Sequence, residues 1–333
     1  MQRLTDLTYH KIKKLGRNVV FNASWIEYEN SIENIEVGYG VKFSHAQISI
    51  HSGGKLFIND LCEIRGRIII GANCEVRIGY GLICNDSISI HANDNCSITI
   101  GDDCLFANVR IYSSDMHSIF NDENGERINH SKNVSIGNKV WISRDALILK
   151  GTTINNNCIV GARSVLSGEY LASSMIAGSP GKVIKKGISW SRNLVNKKSE
   201  ILSLDFPIYR FRSAAMQYKH DEVISIAINA WSKRNQITSE DYYVIYYLSR
   251  ALLLKHFRQD YFTQLNINNH EIILKEILMA LVQSFEVSGR KNFPCGSYAY
   301  LSALMLQDSQ SAKKLHDLIQ PFYKEIDSAQ FNI

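Results

Sequence analysis

The sequence predicts a β-plus-α protein, with a parallel β-helix in residues 1–189 and an all-α helical domain in residues 190–333. Three observations predict this arrangement. Aliphatic residues recur every six positions through much of the first half, the recurrence ends near Trp190, and apolar residues then recur at helical spacing. A period of six is neither the 3.6 of a helix nor the 2 of a continuous strand, but it accommodates a short strand followed by a turn.

The six-residue period occupies two stretches that share one phase. The first comprises Ile58, Ile64, Ile70, Val76, Leu82, Ile88, Ile100, Phe106 and Tyr112. The second comprises Ile136, Ile142, Ile148, Ile154, Val160 and Leu166. In the second stretch small residues follow four positions after the apolar ones, at Ala146, Thr152, Cys158 and Ser164, and such side chains fit a tight inner corner.

After Trp190 the apolar residues follow the period of a helix. One stripe comprises Val223, Ile226, Ala227, Ala230 and Trp231, and another comprises Ile273, Ile277, Ala280, Leu281 and Ser284. These stripes predict five or six amphipathic helices. Their residues are those of a helical core, so they do not indicate what the domain binds.

The segment from Ile111 to His130 interrupts the first-half period. The period is lost after Tyr112 and resumes at Ile136 in the same phase, so the chain can leave the β-helix and rejoin it in register. A long irregular segment inside a compact domain is usually functional or disordered. This segment contains Asp115 and His117, two positions apart.

Composition excludes several classes of protein. The 333 residues are 45 % apolar and carry a net charge of +5, and no apolar run approaches the roughly 20 residues of a membrane span. Since the N-terminus has no apolar signal-peptide core, we expect a cytoplasmic location, with peripheral attachment at the inner membrane face as an alternative. The mild charge permits an anionic ligand without indicating nucleic acid. The seven cysteines form no CxxC pair, so neither a disulfide framework nor a metal site is predicted.

Four sequence blocks carry a resemblance to a known family. "SDMH", "IGNKVWIS", "VGARS" and "AGSPGKVIKK" occur in this order. They resemble the left-handed β-helix (hexapeptide-repeat) acyltransferases, most of all the bacterial capsule and polysaccharide O-acetyltransferases of the polysialic acid type. The resemblance covers roughly residues 35–187 and implies three six-residue units in each coil. Residues three units apart should then stack, as in the pairs Ile136 with Ile154, Ile142 with Val160, and Ile148 with Leu166.

The resemblance implies an O-acetyltransferase that uses acetyl-CoA to acetylate a sugar hydroxyl of a bacterial capsule or surface polysaccharide. His117 is then the expected general base, because a neutral imidazole can accept the hydroxyl proton near pH 7. Asp115 either orients His117 or shapes the loop as an Asx-turn residue. The enzyme should be a homotrimer, since in this family the acetyl-CoA groove lies between neighbouring β-helices.

Two residues are expected to bind the acceptor. Asn85 matches a site asparagine of some relatives, although asparagine is also common at coil corners. Trp141 should face the acceptor sugar, because indole rings stack on sugar faces and donate one hydrogen bond. The alternative for Trp141 is packing beside the pantetheine arm of the donor.

The positions expected to bind acetyl-CoA are Ser143, Arg144, Ala162, Ser167, Lys182 and Lys185. The lysines stand where some relatives have arginine, and lysine binds phosphate as a point charge. Arg144 follows Ser143 where the family usually has glycine after "WI", so it either narrows the groove or adds a phosphate contact.

Three further alternatives are left open by the sequence. The first is that the acceptor atom is the nitrogen of an amino sugar, which would make the protein an N-acetyltransferase. The second is a non-catalytic β-helix scaffold, although His117 and the closing "AGSPGKVIKK" favour an enzyme. The third concerns the helical domain, which could hold the polymer, contribute oligomer contacts or dock onto a capsule synthesis or export complex.

Overall fold

The computed structural model describes residues 2–194, except residues 6–7, 9–10, 13, 30–31 and 193. It also describes residues 210–211, 213–214, 217, 219, 222–223 and 226. The predicted helical domain therefore lies almost wholly outside the described residues and stays a prediction. Within the described part of the chain, no helix is both long and apolar enough to cross a bilayer.

The described chain winds into a parallel β-helix with three faces, each a ladder of short strands from successive coils. The first face comprises β3 (Val20–Asn22), β10 (Ile83–Cys84), β13 (Leu105–Phe106), β16 (Trp141–Ile142), β19 (Ile159–Val160), β22 (Ser174–Ala177) and β23 (Lys182–Lys186). The second comprises β1 (Gln2–Leu4), β4 (Trp25–Tyr28), β11 (Ile88–Ala92), β14 (Val109–Tyr112), β17 (Leu147–Ile148) and β20 (Val165–Leu166). Two longer strands, β6 (Lys42–Ile50) and β8 (Glu63–Ile70), run from the first face into the second.

The third face closes the triangle. It comprises β2 (Lys14–Leu15), β5 (Ile35–Val37), β7 (Lys55–Ile58), β9 (Glu75–Ile78), β12 (Ser97–Ile100), β15 (Val134–Ile136), β18 (Thr153–Ile154) and β21 (Glu169–Tyr170). A short 3-10 helix, Ile32–Asn34, precedes β5. Alternate strand residues point into the prism, where aliphatic side chains from the three faces form one buried column.

The predicted stacking is confirmed in the later coils. The observed parallel partners are Ile136 with Ile154, Ile142 with Val160, and Ile148 with Leu166. Each of these residues is at most 1 % exposed. The strands of these later coils are very short, so one complete coil of three strands and three turns takes three six-residue units.

In the earlier coils the six-residue prediction is wrong about which residues stack. Val76 pairs with Leu56 in the preceding coil and with Ile98 in the next, and neither partner lies three repeat units away. The reason is strand length, because a longer strand such as β7 points two side chains inward, Leu56 and Ile58. The stack also starts before residue 35, since β2 already pairs in parallel with β5.

One corner of the prism is built from paired glycine and asparagine positions. Asn138 Oδ1 accepts a hydrogen bond from the main-chain nitrogen of Asp102, and Asn156 Oδ1 accepts one from Asn138, each at 2.8 Å. A Cβ atom at Gly137 would lie 2.5 Å from Asn156 Oδ1. The asparagine ladder therefore requires glycine at that position.

The six cysteines of the described region face the interior, at positions 62, 74, 84, 96, 104 and 158. Burial raises the pKa of the Cys84 thiol to about 12. A thiol held in this protonated form behaves as a small apolar side chain, which suits a packing role.

Candidate active site

The interrupting segment forms an ordered extension between β14 and β15. Its two sides pair as a hairpin, with Ile128 donating from its main-chain nitrogen to the carbonyl of Ile119 at 2.9 Å. Nearer the tip, Asn121 donates to the carbonyl of Glu126 at 2.9 Å. Hydrogen bonds within the loop therefore define the position of His117.

The buried amide of Asn129 joins the two sides at the base of this loop. Its Nδ2 donates to the main-chain carbonyl of His117 at 2.7 Å and to Asp115 Oδ2 at 2.8 Å. Its Oδ1 accepts from the main-chain nitrogen of Ile119 at 2.8 Å. Asn129 is 8 % exposed, so these bonds replace water that the side chain cannot reach.

The carboxylate of Asp115 ties the loop to the next coil. Lys150, which follows β17, donates from Nζ to Asp115 Oδ2 and also to the carbonyl of Asn129, the latter at 2.9 Å. The hydrogen bond from Lys150, followed by that from Asn129, lowers the pKa of Asp115. Among the described residues, no hydrogen bond joins Asp115 to the imidazole of His117. These contacts favour the alternative in which Asp115 shapes the loop.

The carboxylate of Asp94 ties the loop to the preceding coil. Its Oδ2 accepts from Arg127 at 2.8 Å and from Ser131 Oγ at 2.9 Å. The hydrogen bond from Ser131, with that from Arg127, lowers the pKa of Asp94. The loop is thus anchored to the coils on both sides, while the His117 side chain is exposed.

A second group of predicted residues lines the corner between the first and second faces. Backbone hydrogen bonds between successive coils place Asn85, Ala107 and Ser143 in one column. In the adjacent column, Ala162 follows Arg144. We call this line of residues the Asn85 corner.

The edge strand β23 lies at one end of the Asn85 corner. It folds back against β22 in antiparallel register, with Lys182 beside Ala177 and Lys185 beside Met175. Both lysines are exposed, as is Ala162. Ser167 lies elsewhere, because it follows β20 at the corner where the loop emerges.

Trp141 opens β16 on the first face and points outward. It pairs with Leu105 in the preceding coil and Ile159 in the next. Its side chain is 37 % exposed, and its ring lies 5.9 Å from that of Trp190. Trp190 is itself held by a 2.8 Å hydrogen bond from Nε1 to the carbonyl of Lys139.

A single chain thus divides the predicted site between two corners at opposite edges of the second face. The loop with His117 and Asp115 leaves from one edge, together with Ser167. The Asn85 corner, which includes Arg144, lies at the other edge. The predicted site residues therefore do not form one cluster within a single chain.

Comparisons with known proteins place the chain in a family. A family described as "Bacterial transferase hexapeptide (six repeats)" matches residues 133–168. The chain is 34 % identical over 198 residues to the polysialic acid O-acetyltransferase of Neisseria meningitidis, covering 56 % of this chain and 91 % of the relative. The chain belongs to the hexapeptide-repeat acetyltransferases. Membership of this acetyltransferase family confirms the resemblance and the left-handed β-helix predicted for the first half.

Two further comparisons are with proteins of the same description. This hexapeptide-repeat acetyltransferase is 31 % identical over 160 residues to the polysialic acid O-acetyltransferase of Escherichia coli O1:K1 / APEC, covering 47 % of this chain. The match spans only 48 % of that relative's length. A crystal structure of the polysialic acid O-acetyltransferase OatWY is 32 % identical, with 55 % of this chain and 92 % of that chain covered and a TM-score of 0.46.

Sequence reasoning about this acetyltransferase missed Asn129 and Lys150. Asn129 is one of many polar residues in the insertion, and Lys150 is distant in sequence from its partner Asp115. Their contacts depend on how the loop closes onto the next coil, which no spacing rule encodes. The burial of Asn129, which marks it as unusual among the exposed polar residues of the loop, is visible only in the structure.

Proposed function

We propose that this acetyltransferase transfers the acetyl group of acetyl-CoA to a hydroxyl of a bacterial capsule or surface polysaccharide. The names of the two curated relatives, both polysialic acid O-acetyltransferases, support an O-linked product on a glycan. The observation that carries the proposal is His117, exposed on a loop whose main chain is fixed at that residue by a buried amide.

His117 acts as the general base. An alcohol attacks a thioester slowly while its oxygen carries the proton, so removal of that proton in the transition state accelerates attack by about 10²–10⁴-fold. The proton passes from the acceptor hydroxyl to the imidazole, and from there to the sulfur of the departing thiol. Because the main chain of His117 is anchored, only its two side-chain torsions change the position of the imidazole.

The Asn85 corner suits the elongated donor. Ser143 and Ala162 present small side chains along it, which suits a narrow ligand lying beside the backbone. Lys182 and Lys185 stand exposed at one end, where they supply the positive charge that phosphates require. Acetyl-CoA supplies the acetyl thioester, and the corner supplies a line of small side chains with cations at one end.

We propose a homotrimer in which the second face turns toward the threefold axis. Both halves of the predicted site lie at the edges of this face. Outward-pointing Leu147, Leu149 and Val165 form a half-buried apolar patch on it. Covering this patch with two further copies would bring the His117 loop of one chain to the Asn85 corner of its neighbour.

The remaining assignments of the whole chain are part of the same proposal. The β-helix would end at residue 189, and residues 190–333 would form the helical domain that recruits polymer or docks onto a capsule synthesis or export complex. We place the protein in the cytoplasm, with attachment at the inner membrane face as the alternative location.

The decisive experiment incubates the purified full-length chain with acetyl-CoA and a panel of capsule oligosaccharides and follows acetylation by mass spectrometry. Treatment of the product with mild alkali separates the two acetyltransferase classes, because an ester is cleaved while an amide survives. Alkali-labile acetylation that requires His117 supports the proposal. An alkali-stable product would make the protein an N-acetyltransferase, and absence of transfer to every glycan would favour the scaffold.

A further inference from the structure

The side chain of Arg144 leaves its own coil and runs toward the Asn85 end of the corner. Asp86, Asn108 and Arg144 occupy three successive coils of one column. The Arg144 guanidinium nevertheless donates to Asp86 Oδ2 at 2.8 Å. Neighbouring coils stack about 4.8 Å apart, so the two residues lie roughly 10 Å apart along the β-helix, and the Arg144 side chain reaches across the intervening coil, away from Lys182. This direction disagrees with a role at the phosphate end of the donor.

The pair with Asp86 leaves most of the guanidinium available. The side chains of Arg144 and Asp86 are 63 % and 39 % exposed. Among the described residues, the bond to Asp86 is the one hydrogen bond of this guanidinium, which has five N–H donors. An exposed ion pair contributes about 0–1 kcal/mol to stability, so folding does not depend on this pair.

At this end of the corner two guanidinium groups act on the carboxylate of Asp86, while the next acid, Asp145, pairs with Arg163. The second oxygen of Asp86 accepts from the main-chain nitrogen of Ser87 at 2.8 Å, which fixes the carboxylate in place. Arg65, exposed in the preceding coil, also acts electrostatically on Asp86. Two guanidinium groups therefore face one carboxylate, immediately beside Asn85.

We propose that Arg144 is a specificity-determining residue that binds a carboxylate of the acceptor glycan, with Asp86 as the residue that positions it. The planar guanidinium pairs with a carboxylate through two parallel hydrogen bonds, which fixes both the position and the orientation of an acidic sugar. This inference rests on the proposed function, since it names the acceptor chemistry of the same site. The competing source of the same anionic chemistry is a phosphate of acetyl-CoA.

The test compares Arg144→Gln with the matched control Arg163→Gln, whose side chain is 86 % exposed at the same corner, one coil nearer Lys182. The assays use an acidic oligosaccharide, the same oligosaccharide with its carboxyl groups reduced to alcohols, and acetyl-CoA. We expect Arg144→Gln to raise the KM for the acidic acceptor about 10- to 100-fold, the loss of a charge-assisted hydrogen bond. The KM for acetyl-CoA and for the reduced acceptor should not change, and Arg144→Lys should recover part of the loss.

A raised KM for acetyl-CoA with an unchanged acceptor KM would assign Arg144 to a donor phosphate and overturn the inference. Unchanged KM values for every substrate would mean that the ion pair has no role in binding, and this result would also overturn the inference. Binding of the acidic oligosaccharide to the enzyme without acetyl-CoA, measured by calorimetry, separates this inference from the proposed function. Loss of that binding in Arg144→Gln supports the carboxylate site even if the wild-type protein transfers no acetyl group.

Discussion

The side-chain amide of Asn129 donates to the main-chain carbonyl of His117 at 2.7 Å, from the opposite side of the loop. The same nitrogen also bonds Asp115, which Lys150 holds from the next coil. Among the residues that the structure describes, the contacts that hold the proposed base act on its backbone, and none is a hydrogen bond to its imidazole. The ring keeps its torsional freedom, while the loop that carries it is fixed to the β-helix.

Replacement of Asn129 by alanine should lower kcat while leaving the fold intact. The carbonyl of His117 and the main-chain nitrogen of Ile119 would lose their partner, at a local cost of about 1–3 kcal/mol. We expect kcat to fall at least about tenfold, since a misplacement near 1 Å already weakens catalysis strongly. Asn124→Ala, at the exposed tip of the same loop, is the matched control. Equal turnover in the two variants would show that the amide does not position His117.

Replacement of His117 by alanine should abolish most activity without unfolding the protein. The side chain is exposed, so little packing is lost. The expected decrease in kcat is about 10²–10⁴-fold, or about 2.7–5.5 kcal/mol of transition-state stabilisation. His130→Ala, an exposed histidine in the same loop, should retain wild-type kcat. Retention of a large share of turnover by His117→Ala, judged against this control, would exclude the general-base role.

The contact between Lys150 and Asp115 predicts how the loop responds to acid. Lys150 lowers the pKa of Asp115, so the stabilisation is present above the ordinary aspartate pKa of about 3.9 and is lost as pH falls through the lower folded-state value. Amide exchange at Ile119 and Ile128, corrected for the intrinsic rate, should therefore stay constant from about pH 5 to pH 8 and rise only in stronger acid. In Asp115→Asn this acid-dependent rise should shrink to the part that Asp94, whose pKa is also lowered, contributes. A rise in wild-type exchange already near pH 6 would mean that another group controls the loop.

The later coils were predictable from sequence because their strands are so short. Where each strand points one side chain inward, that side chain fixes the repeat, and Ile142 falls where the six-residue period places it. The earlier coils use longer strands with two inward residues, so the same period there joins residues that do not stack. A periodic pattern reports burial reliably, but it reports register only when strand length is constant.

The positions of individual site residues were less predictable. The alignment of Asn85 and Ser143 in one column can be predicted from the repeat once the number of residues in each coil is known. The bond from Arg144 to Asp86 joins residues in coils that are not neighbours, and its direction depends on a side-chain torsion that the sequence does not reveal. Asn129 is similar, since its role arises only when the loop closes.

Trp141 offers a test of which substrate the first face contacts. Its outward ring contacts that of Trp190 and is 37 % exposed, so part of the indole is accessible to a ligand. Stacking on a sugar removes apolar area from water and typically contributes a few kcal/mol. Trp141→Ala should therefore lower kcat/KM for the acceptor by roughly 10- to 100-fold, about 1.4–2.7 kcal/mol. The KM for acetyl-CoA should hardly change.

Two further variants distinguish acceptor contact from packing beside the donor. Trp141→Phe should restore part of the lost acceptor kcat/KM, because an aromatic face remains while the N–H donor does not. Trp190→Phe removes the hydrogen bond to the carbonyl of Lys139 and controls for a loss of support beneath Trp141. Calorimetric titration of each substrate into Trp141→Ala then separates the two roles. Weakened acetyl-CoA binding beside an intact acceptor affinity would place the indole against the pantetheine arm, because a residue stacked on the sugar cannot lose donor affinity alone.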